Sequence, residues 1–159
     1  MPRRRIKVCL LVLLMTYVLP LGLGMAAPEE KLSKGQLLYV PVYSHVYYGD
    51  QEKQILLTAI LSIRNTDPAR AITLTQVDYY DSEGKPVKSY LTKPLTLKPL
   101  ASTRFIVAES DRRGGSGASF LVRWQADAKV NLPLMEGVMI GTAGQQGISF
   151  TTRGVEIKK

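Results

Sequence analysis

From Leu37 onward the apolar residues recur mostly at every second position, in stretches rich in Val, Ile, Thr and Tyr. That alternation fits a pleated surface with one face buried. It predicts strands over residues 36–48, 54–65, 72–81, 86–91, 102–107, 119–126, 137–142 and 147–153. Between them lies turn chemistry: Gly49 with Asp50, Asn65 with Asp67 and Pro68, Asp81 with Ser82 and Gly84, then Pro94 and Pro99. Eight short strands with no amphipathic helix between them predict an all-β fold, an antiparallel β-sandwich of immunoglobulin-like or related Greek-key type. A small closed β-barrel is the alternative.

Two stretches show how far the alternation carries. In 54–65, Ile55, Leu57, Ala59, Leu61 and Ile63 share one face, which is assigned to the core. In 72–81 the set Ile72, Leu74, Gln76, Asp78 and Tyr80 alternates against Thr73, Thr75, Val77, Tyr79 and Asp81. Neither face is cleanly apolar, which predicts a strand near an edge or in a solvated sheet.

The N-terminus follows a different pattern. Arg3, Arg4, Arg5 and Lys7 precede an almost wholly apolar run, 8–19, that Pro20 and Gly22 interrupt. This is the order of a signal peptide, and the small residues Gly24, Ala26 and Ala27 place cleavage after Ala26. An uncleaved membrane anchor is the alternative, although the run is shorter than the ~20 residues a spanning helix needs. The expected organisation is a signal helix over 1–26, a flexible segment over 27–35, one sandwich domain over 36–155 and a tail over 156–159. An exported protein follows, periplasmic or otherwise extracytoplasmic, touching the membrane only through the signal segment if that segment is retained.

Cleavage changes the composition. The leader carries four of the 21 basic residues, so 17 remain against 13 acidic ones, and the precursor's +8 falls to +4. No block of five or six like charges is present, which argues against nucleic acid as a partner. Cys9, the only cysteine, leaves with the leader, so neither disulfides nor thiol chemistry is expected. The remaining 133 residues suffice for one core held by packing alone.

Three stretches could carry chemistry. His45, the sole histidine, alternates with two tyrosines in VYSHVYYGD, so Tyr43, His45 and Tyr47 share a strand face. Such a face could contact a ligand, and His45 is a weak candidate for a metal. Ordinary aromatic packing competes with both ideas, because metal sites need several converging ligands. In AESDRRGGSGASF, Glu109 and the paired Arg112 and Arg113 precede three glycines. Guanidinium forks beside free backbone amides could grip an anion, while the Gly and Ser run itself predicts a mobile, solvated connection. Asp78 and Asp81 point to opposite strand faces and form no acid–base pair; 81–84 predicts a hairpin turn. Trp124 reads as a core anchor, and the spacing of Gly141, Gly144 and Gly147 as a tight connection between strands.

The strings YVPVYSHVYYGD, LSIRNTDPARAITLTQVDYYDSEGKPV, LKPLASTRFIVAESDRRGGSGASFLVRW and MIGTAGQQGISF together resemble the bacterial family catalogued as domain of unknown function 3124. The resemblance spans 36–153 and implies an exported bacterial protein with no established activity and no catalytic residues to carry over. SIRNTDPARAITLTQVDYYDSEGKPV alone is similar to strand pairs in immunoglobulin-like modules of the bacterial cell surface, which favours the sandwich over the barrel.

The expected function is a non-enzymatic binding or structural module of the cell envelope, without a cofactor. Its contact would be the Tyr43, His45 and Tyr47 face or the loop bearing Glu109, Arg112 and Arg113, and its partner an unidentified envelope protein or a small ligand. A ligand- or metal-binding periplasmic protein is the second expectation, with Asp50 or Glu52 as further oxygen donors. A hydrolase using Ser110 or Ser116 with His45 is the third; neither serine stands in a nucleophile-elbow motif.

Overall fold

The computed structural model describes residues 32–142 and 147–158. The expected signal helix and Gly144 lie outside the described residues. Within them the alternating stretches form twelve strands and no α-helix: β1 Leu32–Pro41, β2 His45–Tyr48, β3 Lys53–Leu56, β4 Thr58–Arg64, β5 Ile72–Tyr80, β6 Pro86–Ser89, β7 Leu95–Leu97, β8 Ser102–Val107, β9 Ser119–Asn131, β10 Leu134–Gly141, β11 Ile148–Arg153 and β12 Val155–Glu156.

These strands build two antiparallel sheets and a separate hairpin. The first sheet runs β12-β1-β9-β5-β6, with β7 also on β5; the second runs β11-β10-β4-β8; β2 and β3 pair with each other. The inward residues of both sheets meet in one apolar core. Leu38 and Val40 from β1, Ile72, Leu74, Val77 and Tyr79 from β5, and Phe120, Val122 and Trp124 from β9 face Ala59, Leu61 and Ile63 of β4 and Met135 and Met139 of β10. The result is a sandwich, and the strand pairs do not close a cylinder, which removes the barrel alternative. Among the described residues the buried core side chains all lie between Leu38 and Met139, downstream of residue 27.

Strand β5 departs from its expected place. It is flanked by β9 on one side and by β6 and β7 on the other, so it is central and not an edge. The irregular alternation has a geometric cause: the register against β9 shifts between Leu74 and Gln76, placing an extra residue, Thr75, in the strand. A bulge of this kind reverses the side-chain parity beyond it. Ile72 and Leu74 point inward before it, Val77 and Tyr79 after it, and all four are buried.

Other boundaries differ from the sequence expectation too: 54–65 is divided between β3 of the hairpin and β4 of the second sheet, β7 is an unexpected strand, and β9 extends to Asn131 while β10 starts at Leu134. β1 begins at Leu32, so 32–35, expected as a flexible lead-in, is strand paired with β9. The stretch 36–48 is two strands separated at Val42–Ser44, where the chain turns from the first sheet into the hairpin. At the far end Glu156, expected in the tail, pairs with Leu38, and the Ile157 amide donates to the Leu37 carbonyl at 2.8 Å.

One end of the sandwich is tied by a polar knot. Asn65 is buried, and its Nδ2 donates to the carbonyls of Arg70 (2.8 Å), Lys98 (3.0 Å) and Leu97 (3.3 Å). Asp67 Oδ1 accepts from the amides of Ala69 and Arg70, and its Oδ2 from that of Asn131. Those amides, Ala69 foremost, hold the Asp67 carboxyl below its usual range. Three turns, from β4 to β5, β7 to β8 and β9 to β10, are thereby joined through two side chains.

The bulge makes a discriminating prediction. Deleting Thr75 regularises β5 while keeping Leu74 and Val77 inward, so the protein should fold within roughly 1–2 kcal/mol of wild type. Deleting Thr73 instead forces Ile72 or the rest of the strand outward and should cost at least about 2 kcal/mol. Denaturant titration of the two deletion variants makes the comparison.

Candidate functional site

The end of the sandwich opposite the polar knot gathers most of the residues that the sequence singles out. After Pro41 the chain makes a crook held on both sides: the Val42 amide donates to Ala118 O and the Ser44 amide to Gly115 O, both at 2.9 Å. The Leu57 amide donates to Ser44 O at 2.9 Å and closes the base of the β2–β3 hairpin. Positive φ at Gly49 (66°) and at Glu52 (49°) shapes its tip.

Within the hairpin, His45 is 8% exposed and its Nε2 lies 3.2 Å from the Tyr47 hydroxyl, with the two rings edge to face at 5.1 Å. The structure therefore joins His45 and Tyr47. Tyr43 leaves that group: it is half-buried and packs edge-on against Phe150 of β11 at 5.6 Å. His45 Nδ1 is buried without a hydrogen-bond partner among the described residues. No group of three His, Cys, Asp or Glu side chains suited to a metal occurs among the described residues. Asp50 and Glu52 are exposed at the hairpin tip.

The glycine loop is not the mobile connection its composition suggests. Residues Gly115–Gly117 form one 3-10 turn, and the loop is bonded to two neighbouring segments. The Ser82 amide and hydroxyl both donate to Gly114 O, at 3.0 and 2.9 Å, and the Gly117 amide donates to Ser82 Oγ at 2.9 Å. Gly114 is buried, and a side chain there would overlap the Tyr79 hydroxyl; Gly115 has φ 75°. Close approach at the first and left-handed backbone at the second are the physical reasons for glycine here.

Beneath that loop lies a pair that the sequence reading missed. Ser44 Oγ and the Tyr79 hydroxyl are 2.8 Å apart and buried, and burial pushes the Tyr79 phenol up. Tyr79 stacks on Phe120 at 5.1 Å, and Phe120 on Tyr90 at 5.5 Å. Tyr90, also largely removed from water, is pushed to about 12. Its hydroxyl donates to Ile106 O at 3.0 Å, and Lys88 Nζ lies 4.3 Å from its ring centre.

The arginine pair divides. Arg113 Nε and Nη2 donate to the two oxygens of Asp111 at 2.9 and 2.7 Å, which holds that carboxyl below its usual range. Arg113 is thus committed to its own loop. Arg112 and Glu109 are exposed and make no ion pair among the described residues. Ser110 is exposed and Ser116 sits in the 3-10 turn, whereas His45 Nε2 is engaged by Tyr47, so no serine–histidine pair is assembled. Asp78 accepts from Gln76 Nε2 at 2.7 Å, and Asp81 Oδ1 accepts the amides of Glu83 and Lys85, forming the expected turn.

A groove of about 640 Å³ lies elsewhere, between β1, β9 and the 156–158 segment, lined in part by Gln36, Arg123, Trp124 and Gln125. None of the six candidate residues borders it. Trp124 itself is in the core, with Nε1 unpartnered among the described residues.

These features define an antiparallel β-sandwich with an aromatic hairpin held at its base and a pinned glycine loop at one end. Residues 35–157 match the family described as "Protein of unknown function (DUF3124)", and the chain belongs to that family. No curated protein matches it. Among solved structures, the crystal structure of Thermotoga maritima 1070 is similar at 12% identity and a TM-score of 0.46, over 76% of this chain and 92% of that one.

The loop's fixed geometry is testable. Gly114→Ala should displace Tyr79 and break its bond to Ser44. Tyr79→Phe, which removes only the hydroxyl, should cost on the order of 1–2 kcal/mol because it strands a buried serine. Thermal melts should rank wild type above Tyr79→Phe and Tyr79→Phe above Gly114→Ala.

Proposed function

We propose that the chain is a non-catalytic binding module of the bacterial cell envelope, delivered there by its N-terminal leader, and that the β2–β3 hairpin is its contact with a protein partner. One observation carries the reading: Tyr47 and Tyr48 are 49% and 52% exposed at the end of a hairpin whose base is fixed by three backbone bonds. Tyrosine presented on a rigid support supplies large contact area and a polar tip for little lost entropy. About half of each tyrosine's surface remains to be buried by a partner.

The adjoining glycine loop supports the same use. It supplies exposed Arg112 and Glu109 beside the crook that starts the hairpin, a charged rim next to an aromatic centre. Interfaces combine these two elements in that arrangement.

A photo-crosslinking residue in place of Tyr48 tests the proposal in intact cells. A discrete protein adduct is expected from position 48 and not from Lys98, an exposed residue at the opposite end of the sandwich. No adduct, or the same adducts from both positions, would count against the hairpin as the contact.

A further inference from the structure

The outward face of the second sheet is unusual for an antiparallel sandwich, whose outer positions are ordinarily polar. Strand register fixes which residues share it. Val138 of β10 lies opposite Ile60 of β4, and Ile60 lies opposite Ile106 of β8, so three apolar side chains form a row across the sheet. Ile140 stands two residues along β10 from Val138 on the same face. Ile106 and Ile140 are 47% and 41% exposed.

The charges around that row have one dominant sign. Arg104 of β8, Arg64 of β4 and Arg153 of β11 all point outward and are exposed, against a single outward carboxylate, Glu136, opposite Arg153. Arg104 and Arg153 thus stand on the two outer strands in the row next to the apolar one, with Ser62 and Glu136 between them, and Arg64 lies two residues beyond Ser62 on the same face of β4. A second copy of this chain is a poor occupant, because it would bring arginines against arginines. The face calls for a partner that is negative, broad and apolar beneath its charge.

We propose that this face rests on an anionic lipid surface, with Arg64, Arg104 and Arg153 at the headgroups and Ile106 and Ile140 at the acyl boundary. The arrangement is that of interfacial binding, where cations meet anionic headgroups and apolar side chains enter just beneath them. The sequence adds a reason for lipid over an acidic protein: its basic, apolar leader brings the chain to a membrane in the first place. The contact uses a different part of the molecule from the β2–β3 hairpin and does not depend on it.

The test uses the chain from residue 27, which holds every buried core side chain among the described residues and lacks the apolar leader. It should cosediment with phosphatidylcholine vesicles containing about 30% phosphatidylglycerol, and not with phosphatidylcholine alone, since each surface cation adds about 1 kcal/mol only on anionic lipid. Arg104→Glu with Arg153→Glu should lower the partition at least about a hundredfold. Arg123→Glu with Lys129→Glu, the same charge change on the other sheet, should leave most of it. Ile106→Trp should show a blue-shifted emission, quenched by brominated lipid, on the anionic vesicles alone.

Absence of binding, or an equal loss in both charge-reversal pairs, would overturn the proposal. Concentration-dependent self-association abolished by Ile106→Ser would reassign the face to a second copy. Retention on immobilised polyglutamate without vesicle binding would reassign it to an acidic protein.

Discussion

The buried hydroxyl pair between Ser44 and Tyr79 is the interaction on which the hairpin end of the sandwich depends. It joins the crook after β1 to the central strand β5 beneath the glycine loop, and Gly114 packs directly against the same phenol. A bulkier residue at 114 would separate the three segments. Because the crook also carries the base of the hairpin through Ser44 O and Leu57 N, the position of Tyr47 and Tyr48 is set from inside the core. No cysteine occurs among the described residues to staple this junction, so packing and hydrogen bonds hold it.

The two ends of the sandwich are built differently. At one, Asn65 and Asp67 gather three turns, and each of their bonds is made within the chain. At the other, Tyr79 and Phe120 in the core continue into the partly buried Tyr90 and Phe105 as a chain of aromatic contacts, while Tyr47 and Tyr48 stand outside with about half their surface in water. The core between them is continuous because the bulge at Thr75 lets β5 place four apolar residues inward along its length. A regular strand would have turned Val77 and Tyr79 to solvent, and Tyr79 could not then have met Ser44.

The sequence showed the strands clearly wherever alternation was regular. Ala59, Leu61 and Ile63 of β4 are fully buried, as their spacing requires, and so is Leu57 just before it, whereas Ile55, assigned to the same face, is half-buried in β3 of the separate hairpin. It misled where the backbone changed parity or direction. The bulge in β5 made a central strand look like an edge, and the crook at Val42–Ser44 and the break at Leu57 each made two strands look like one. It was also blind to what a polar residue meets after folding. Ser44 and Tyr79 lie 35 positions apart and carry no local signal of their pairing. Glycines in AESDRRGGSGASF suggested mobility by composition, when two of them serve close approach and a left-handed turn. His45 and Tyr47 were legible as neighbours because strand period two alone brings them together.

The central claim is that the glycine loop and hairpin form one fixed element keyed to the core. Amide hydrogen exchange measures this residue by residue. The account predicts that the amides of Ser44, Leu57, Ser82 and Gly117 exchange far more slowly than that of Gly49 at the hairpin tip, and that Ser44→Ala speeds all four together. Rapid exchange at Gly117 and Ser82 in the wild-type protein, or a Ser44→Ala effect confined to position 44, would contradict it.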